Sequence, residues 1–498
     1  MSIEKLLWQT DATGLAGMLR KGEITALELT DAAIERAEKT NGKINAIVER
    51  LYEAARSRAA DVDTDAPFAG VPIAIKDLNI SIAGVASHSG SNVPPSVPEY
   101  NSTLFDRLMT AGFIPVLTTT TPEYGVKLVT ESERFGITRN PWNTNHVTGG
   151  SSGGAAAVVA AGIVPVAHAS DGGGSIRVPS ACNGLVGMKP SRGRVPLTPD
   201  ASEGWNGFVM QHAVTRSVRD SATMLDLVTA HDPISPYTAR APKGSFADAA
   251  KRRTKGFNIG VYRDSPLGLP VSPETHEAMD NAVAVARVAG HKVTEIDLPV
   301  LNRDLFADFG KIVGSSFAGA MRMEAERCGH SVIDKLERPT RILARFGEMI
   351  SGGEASAALQ RLQATSREIL KATNHLDAVF MPLIAHPPVE CGAMNPTGAD
   401  LMSEKAVDRL RLTSLLRIRT FLDRLIDQSL WFTHWPVIQN ITGQPSIALP
   451  VHVTAEGLPI GIQAAGRIGD EETLYALAGQ MEEISSWLDR RAQLDIPA

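Results

Sequence analysis

Apolar residues along the chain alternate between helical spacing and short unbroken runs, and the alternation predicts its elements. Leu27, Leu29, Ala32, Ala33, Ile34 and Ala37 recur at helical spacing with Thr25 placed to cap the start, so the first 60 residues read as helices. Over 68–80 the pattern changes to apolar runs broken by Gly and Pro, the mark of a buried strand. A helix is expected over 102–112, ending at Gly112, then a strand over 114–117 and a loop over 139–143. An alanine-rich helix over 153–161 precedes a strand over 163–168, and an amphipathic helix follows over 218–231. Strands over 257–262 and 293–298 flank a helix over 273–289 closed by Gly290.

From about 300 to 435 helices dominate. Ile342, Leu343, Phe346, Met349 and Ile350 share one helix face, which Gly352-Gly353 is expected to stop, and 378–383 is a strand inside this stretch. Sheet-like runs return over 446–451 and 458–462, before a last helix near 470–485. Strands alternating with helices through 68–230 argue for an α/β sheet. No linker-like tract divides the chain. It is therefore expected to be one large domain over 1–498, with a chemistry-bearing core over 60–230 and a helical insertion over 300–435 that shapes access from the substrate side.

Composition narrows the function classes. With 43% hydrophobic and 21% charged residues, the 498-residue chain can bury a large core. Its net charge of −6 offers no footprint for nucleic acid, and Lys251-Arg252-Arg253 reads as a solvated turn. Three widely separated cysteines, Cys182, Cys328 and Cys391, suit reduced thiols and a cytoplasmic setting. The start, polar within a few residues, does not read as a signal peptide, and no stretch approaches the roughly 18 apolar residues of a membrane span. Neither a membrane partner nor a metal is expected, since no H-E-x-x-H spacing occurs.

The candidate chemistry lies in two glycine-set serines 24 residues apart: Ser151 in Gly149-Gly150-Ser151-Ser152-Gly153-Gly154, and Ser175 in Asp171-Gly172-Gly173-Gly174-Ser175-Ile176-Arg177. Glycine-serine clusters are ordinarily turns. Here the first opens an alanine-rich helix, where N–H groups point outward, and the second follows the next strand. A phosphate cradle fails on detail, because neither Gly-Lys-Ser/Thr nor G-x-G-x-x-G entering a helix is present. Ser175 is the better nucleophile candidate. The N–H groups of Gly172, Gly173, Gly174 and Ser175 could converge on a carbonyl oxygen as it gains charge. Asp171 and Arg177 have structural readings, as acceptor and brace of the turn, beside the alternative that Arg177 contacts substrate. Lys76 stands alone in the apolar run Gly70-Val71-Pro72-Ile73-Ala74-Ile75-Lys76-Asp77. It is either an edge lysine reaching water or a buried, neutral general base. Asp77 would either pair with it or orient the loop. His88, His146 and His168 are rival bases, yet Ser175 fails the G-x-S-x-G template of the nucleophile elbow.

Taken together these segments resemble the amidase signature family. So do Gly184-Leu185-Val186-Gly187-Met188-Lys189-Pro190-Ser191-Arg192-Gly193-Arg194-Val195, Ser217-Val218-Arg219-Asp220, Gly443-Gln444-Pro445-Ser446 and Gly457-Leu458-Pro459-Ile460-Gly461-Ile462-Gln463. The resemblance spans nearly the whole chain, weakest over 300–435. It implies a mixed central sheet sandwiched by helices and a Ser–cis-Ser–Lys triad with Lys76 as base, Ser151 as bridging serine after a non-proline cis peptide, and Ser175 as nucleophile. Gly172, Gly173 and Gly174 would line the oxyanion hole, with Ser152, Asp171 and Arg177 in support. It further implies hydrolysis of a small-molecule amide without a cofactor. Thr148 stands where the family often has Pro, and Ser170 where it commonly has Thr. Val166-Ala167-His168 and 189–194 look closest to the branch containing 6-aminohexanoate cyclic-dimer hydrolase, so a cyclic, aryl or carbamate-like amide is expected. The alternative is the amidase subunit of a glutamyl-tRNA amidotransferase. Trp205, Phe208, Cys328, Phe346, Trp431 and Trp435 are candidate pocket walls, and a homodimer is left open.

Overall fold

The computed structural model describes residues 3–62 and 65–494; the opening Met1 and Ser2 lie outside them. Its centre is an 11-stranded sheet. In chain order the strands are β1 (Ile47–Arg50), β2 (Pro72–Lys76), β3 (Ile114–Thr119), β4 (Val166–Asp171), β5 (Val186–Lys189), β6 (Met210–Thr215), β7 (Asn258–Val261), β8 (Lys292–Glu295), β9 (Ala378–Pro382), β10 (Ser446–Val453) and β11 (Pro459–Ala465). Across the sheet they run β1-β3-β2-β4-β6-β5-β10-β11-β9-β7-β8. Strands β3, β2 and β4 are parallel, as are β9, β7 and β8, and the strands between them are antiparallel. The expected mixed sheet is therefore present. β2 and β4 are buried along their whole length, which explains the apolar run of β2.

Helices cover both faces. Ala26–Ile44, Tyr52–Ala60 and Gly153–Ala160 pack with β3 and β4 in one apolar cluster, while Val218–Val228, Pro273–Val288 and Glu471–Ser485 fill the other side. Thr25 caps its helix as expected, in a reciprocal box with Glu28. The all-helical reading of the first 60 residues misses β1. Asn45 turns left-handed (φ 49°) and ends the helix, and the chain then pairs along the edge of β3. The expected loop over 139–143 is the start of a two-stranded ribbon, Arg139–Asn140 with Asn143–Val147. Over 300–435 the helices Arg303–Cys328, Arg338–Glu348 and Gly352–Thr373 predominate, and β9 returns from them into the sheet.

Gly352-Gly353 does not stop a helix; it starts one. The preceding helix ends at Glu348, and Ser351 caps the next by accepting from the Glu354 N–H while the Glu354 carboxylate accepts from the Ser351 N–H and hydroxyl. Two satisfied orphan donors outweigh glycine's poor helix propensity in the first turn. Ser351→Ala should cost about 1 kcal/mol locally, read as roughly fivefold faster hydrogen exchange of the first-turn amides with the rest of the protein unchanged.

Candidate active site

The register of the parallel strands brings the candidate groups to one edge. Ile73 pairs with Val166 and Ala74 with Ala167, so Lys76 and the Ser170-Asp171 end of β4 finish side by side. Carboxyl ends of parallel strands are where α/β sheets place ligands. The Lys76 side chain is buried, and its amine donates to Ser151 Oγ at 2.9 Å and Ser170 Oγ at 3.0 Å. Burial pushes its pKa down to about 7, against the opposing charge of Asp171. The edge-lysine reading is thereby removed. Asp77 does not pair with it. Its carboxylate accepts from the His88 N–H at 3.0 Å and so orients the loop, and burial raises its pKa to about 7.

Ser151 follows a cis Gly150–Ser151 peptide bond. The two glycine-serine turns are stitched together by the Ser152 N–H donating to the Ser175 carbonyl at 3.2 Å and the Ser152 hydroxyl to the Ser170 carbonyl at 3.2 Å. Asp171 organises the second turn. Its buried carboxylate accepts from the N–H groups of Gly174 (2.7 Å) and Ile176 (3.1 Å), both arms of Arg177 (2.9 Å each) and Asn440 Nδ2 (2.9 Å). Burial opposes the charge, but Arg177 outweighs it and holds the carboxyl well below the usual carboxylate range. Arg177 is fully buried and also donates to Gln463 (2.7 Å), Asn440 (2.7 Å) and the Pro436 carbonyl (2.9 Å). It braces the turn and does not line the cavity.

The expectation for the oxyanion donors needs one correction. The Gly174 N–H is spent on Asp171, so it is not free for an oxyanion. The N–H groups of Gly172, Gly173 and Ser175 take no acceptor among the described residues. Gly174 instead serves by shape: at φ 124° and with a would-be Cβ 2.7 Å from Pro436 Cβ, no other residue fits. Ser175 Oγ makes no hydrogen bond to another described residue.

Ser151, Ser170, Gly172 and Ser175 form one side of a cavity of about 130 Å³ that Leu78, Tyr124, Leu197, Trp205 and Val209 help to enclose. Of the six expected wall residues only Trp205 lines it. Phe208 and Trp435 pack in the core behind it, Cys328 and Phe346 in separate helical clusters, and Trp431 against the main core. Asn79, Tyr124 and Asp200 went unnoticed in the sequence, and Ser170 stood out only as a departure from the family's usual Thr. Asn79, left-handed at φ 64°, reaches the cavity through a turn that periodicity does not encode, and its amide donates to Ser170 Oγ at 3.1 Å. No histidine lines the cavity. His168 Nε2 is paired with Gln211 and pushed down to about 3 by burial, and His88 Nε2 meets Glu49. No helix among the described residues is long and apolar enough to cross a membrane, and none of their His, Cys, Asp and Glu side chains form a group of three or more that could hold a metal ion.

A family model for amidases matches residues 28–475. The chain belongs to the amidase signature family. The 6-aminohexanoate-cyclic-dimer hydrolase of Paenarthrobacter ureafaciens is 32% identical over 503 aligned residues, covering 99% of this chain and 98% of that protein. A solved structure of 6-aminohexanoate cyclic dimer hydrolase superposes with a TM-score of 0.88 at 31% identity, over 98% of this chain and 99% of that one. A bacterial aryl acylamidase of the same family superposes with a TM-score of 0.85 at 24% identity, over 98% and 99% of the two chains. The branch expected from 166–168 and 189–194 is thus the one this amidase resembles.

Asp171→Asn would leave the Arg177 guanidinium buried and uncompensated. The expected cost is about 3–5 kcal/mol, read as a lowered urea midpoint even when the substituted side chain keeps the same volume.

Proposed function

We propose that this amidase cleaves a carboxamide through an acyl-enzyme on Ser175, with Lys76 as general base acting through Ser151. One observation carries the reading: a buried amine, held near pKa 7 without a carboxylate partner, within 2.9 Å of the hydroxyl that shares a cavity with Ser175. Neutral Lys76 takes the Ser151 proton as Ser151 takes that of Ser175. Ser175 Oγ bonds to the carbonyl carbon, and the carbonyl π pair moves to oxygen, facing the N–H groups of Gly172, Gly173 and Ser175. Collapse breaks the C–N bond as the proton returns from Lys76 through Ser151 to the leaving nitrogen. Water then enters by the same relay and releases the acid, restoring Ser175.

Ser175 and Ser151 come within hydrogen-bonding reach as the Michaelis complex forms; such contacts are commonly long in empty sites. The substrate class we assign is a cyclic or aryl amide. Support comes from the full-length relationship to a cyclic-dimer hydrolase and from the largely apolar wall of Leu78, Leu197, Trp205 and Val209.

Ser175→Ala should abolish amide turnover and fluorophosphonate labelling while leaving the circular dichroism spectrum intact. Lys76→Ala should lose about three or more orders of magnitude in kcat; a loss of only a few-fold would point to another base. Because the neutral amine is the active form and burial lowers its pKa to about 7, kcat/KM should rise with pH through about 7 and level off above it. A rate that falls across that window would reverse the assignment.

A further inference from the structure

Among the cavity's lining residues, Asp200 is the only one with a carboxylate or a basic side chain. Its two carboxylate oxygens accept the hydroxyls of Ser81 and Ser102, one each, and the Tyr100 hydroxyl also bonds to it. All three donors are neutral. They fix the carboxylate in place without cancelling its charge, and part of its roughly four acceptor positions stays free. Among the described residues no Lys, Arg or His forms an ion pair with it. The nearest amine of the site, Lys76, is already committed to Ser151 and Ser170. Apart from Asn79 and the serines of the site, the remaining walls are aliphatic, glycine or aromatic, and Tyr124 and Trp205 add ring surfaces that favour a cation over an anion.

We propose that Asp200 is a specificity determinant of the amidase site, and that the substrate carries a primary ammonium group which this carboxylate receives. The assignment rests on the Ser175 acyl-enzyme reading. It explains why this cavity keeps one clamped carboxylate, open to solvent, with no cation paired to it. An anionic substrate would meet that charge with no cation to offset it. At an exposed carboxylate a pair of this kind is worth up to about fivefold in affinity.

Protection of Ser175 from a fluorophosphonate probe tests this without knowledge of the natural substrate. Pentylammonium, pentanol and pentanoate are compared as protectants in the intact protein at pH 7.5. Pentylammonium should protect at about fivefold lower concentration than pentanol, and pentanoate should protect least. Asp200→Asn, which keeps an acceptor for the serine hydroxyls, should bring pentylammonium within about twofold of pentanol, and Asp200→Glu should retain the preference. Equal protection by pentylammonium and pentanol in the unmodified protein, or a preference that survives Asp200→Asn undiminished, overturns the proposal. Absence of labelling of Ser175 with no protectant present overturns the acyl-enzyme reading itself, and the charge preference with it.

Discussion

A single amine taken out of water and given no carboxylate to hold its proton sets the terms for everything around it. Among the described residues, Lys76 Nζ hydrogen-bonds only to the hydroxyls of Ser151 and Ser170. Both can accept from an ammonium or donate to a neutral amine, so neither fixes its protonation state, and burial is left to decide. Asp171 is the charge that could undo this, since its field raises the Lys76 pKa. That field is spent elsewhere. Arg177 grips the carboxylate with two nitrogens, and Asn440 and the N–H groups of Gly174 and Ile176 take up its lone pairs. A buried ion pair contributes little net stability; here it fixes the turn that carries Ser175 and offsets part of a charge that favours protonated Lys76.

The sheet supplies the positions. Parallel pairing of β2 with β4 fixes the offset between Lys76 and Ser170, and antiparallel pairing of β6 with β4 closes the other side of the strand that ends at Asp171. The helical region over 300–435 reaches the cavity indirectly. The buried Glu123 carboxylate accepts from Ser91, Thr340 and the Glu337 N–H, and Tyr124 packs edge-on against Phe317. Wall residues 124–125 are thus clamped to helices distant in sequence, and movement of those helices would reshape the cavity without touching the serines.

The most legible features in the sequence were those whose signal is local. Thr25 with Glu28, the glycine-set serines, and the lone lysine in an apolar run each announce themselves within a few residues. The 11-strand order does not, because β9 enters the sheet from within a helical region and β1 is only four residues long. The cavity wall was also hidden. Large aromatic residues suggested themselves as wall, yet Phe208, Phe346 and Trp435 bury in apolar clusters away from it, as hydrophobic area alone would dictate. Asn79 and Asp200 reach the site through left-handed or irregular backbone, where hydrophobic period carries no information. The Gly174 N–H shows the same limit: composition made it an oxyanion donor, and only the reach of the Asp171 side chain shows it occupied.

Lys189 sharpens the argument about Lys76 by contrast. Both lysines end apolar strands, both are fully buried, and burial drives both amines below their ordinary pKa. Lys189, however, donates to the Pro190 carbonyl at 3.0 Å and lies near Met210 Sδ, and no hydroxyl bonds to it. A carbonyl oxygen can only accept, so the amine has no proton to collect from it. Desolvation therefore lowers an amine's pKa in two places and makes a candidate base in one. The difference lies in the partner: a hydroxyl can pass a proton onward, and only the amine at the end of β2 meets one that also faces a cavity.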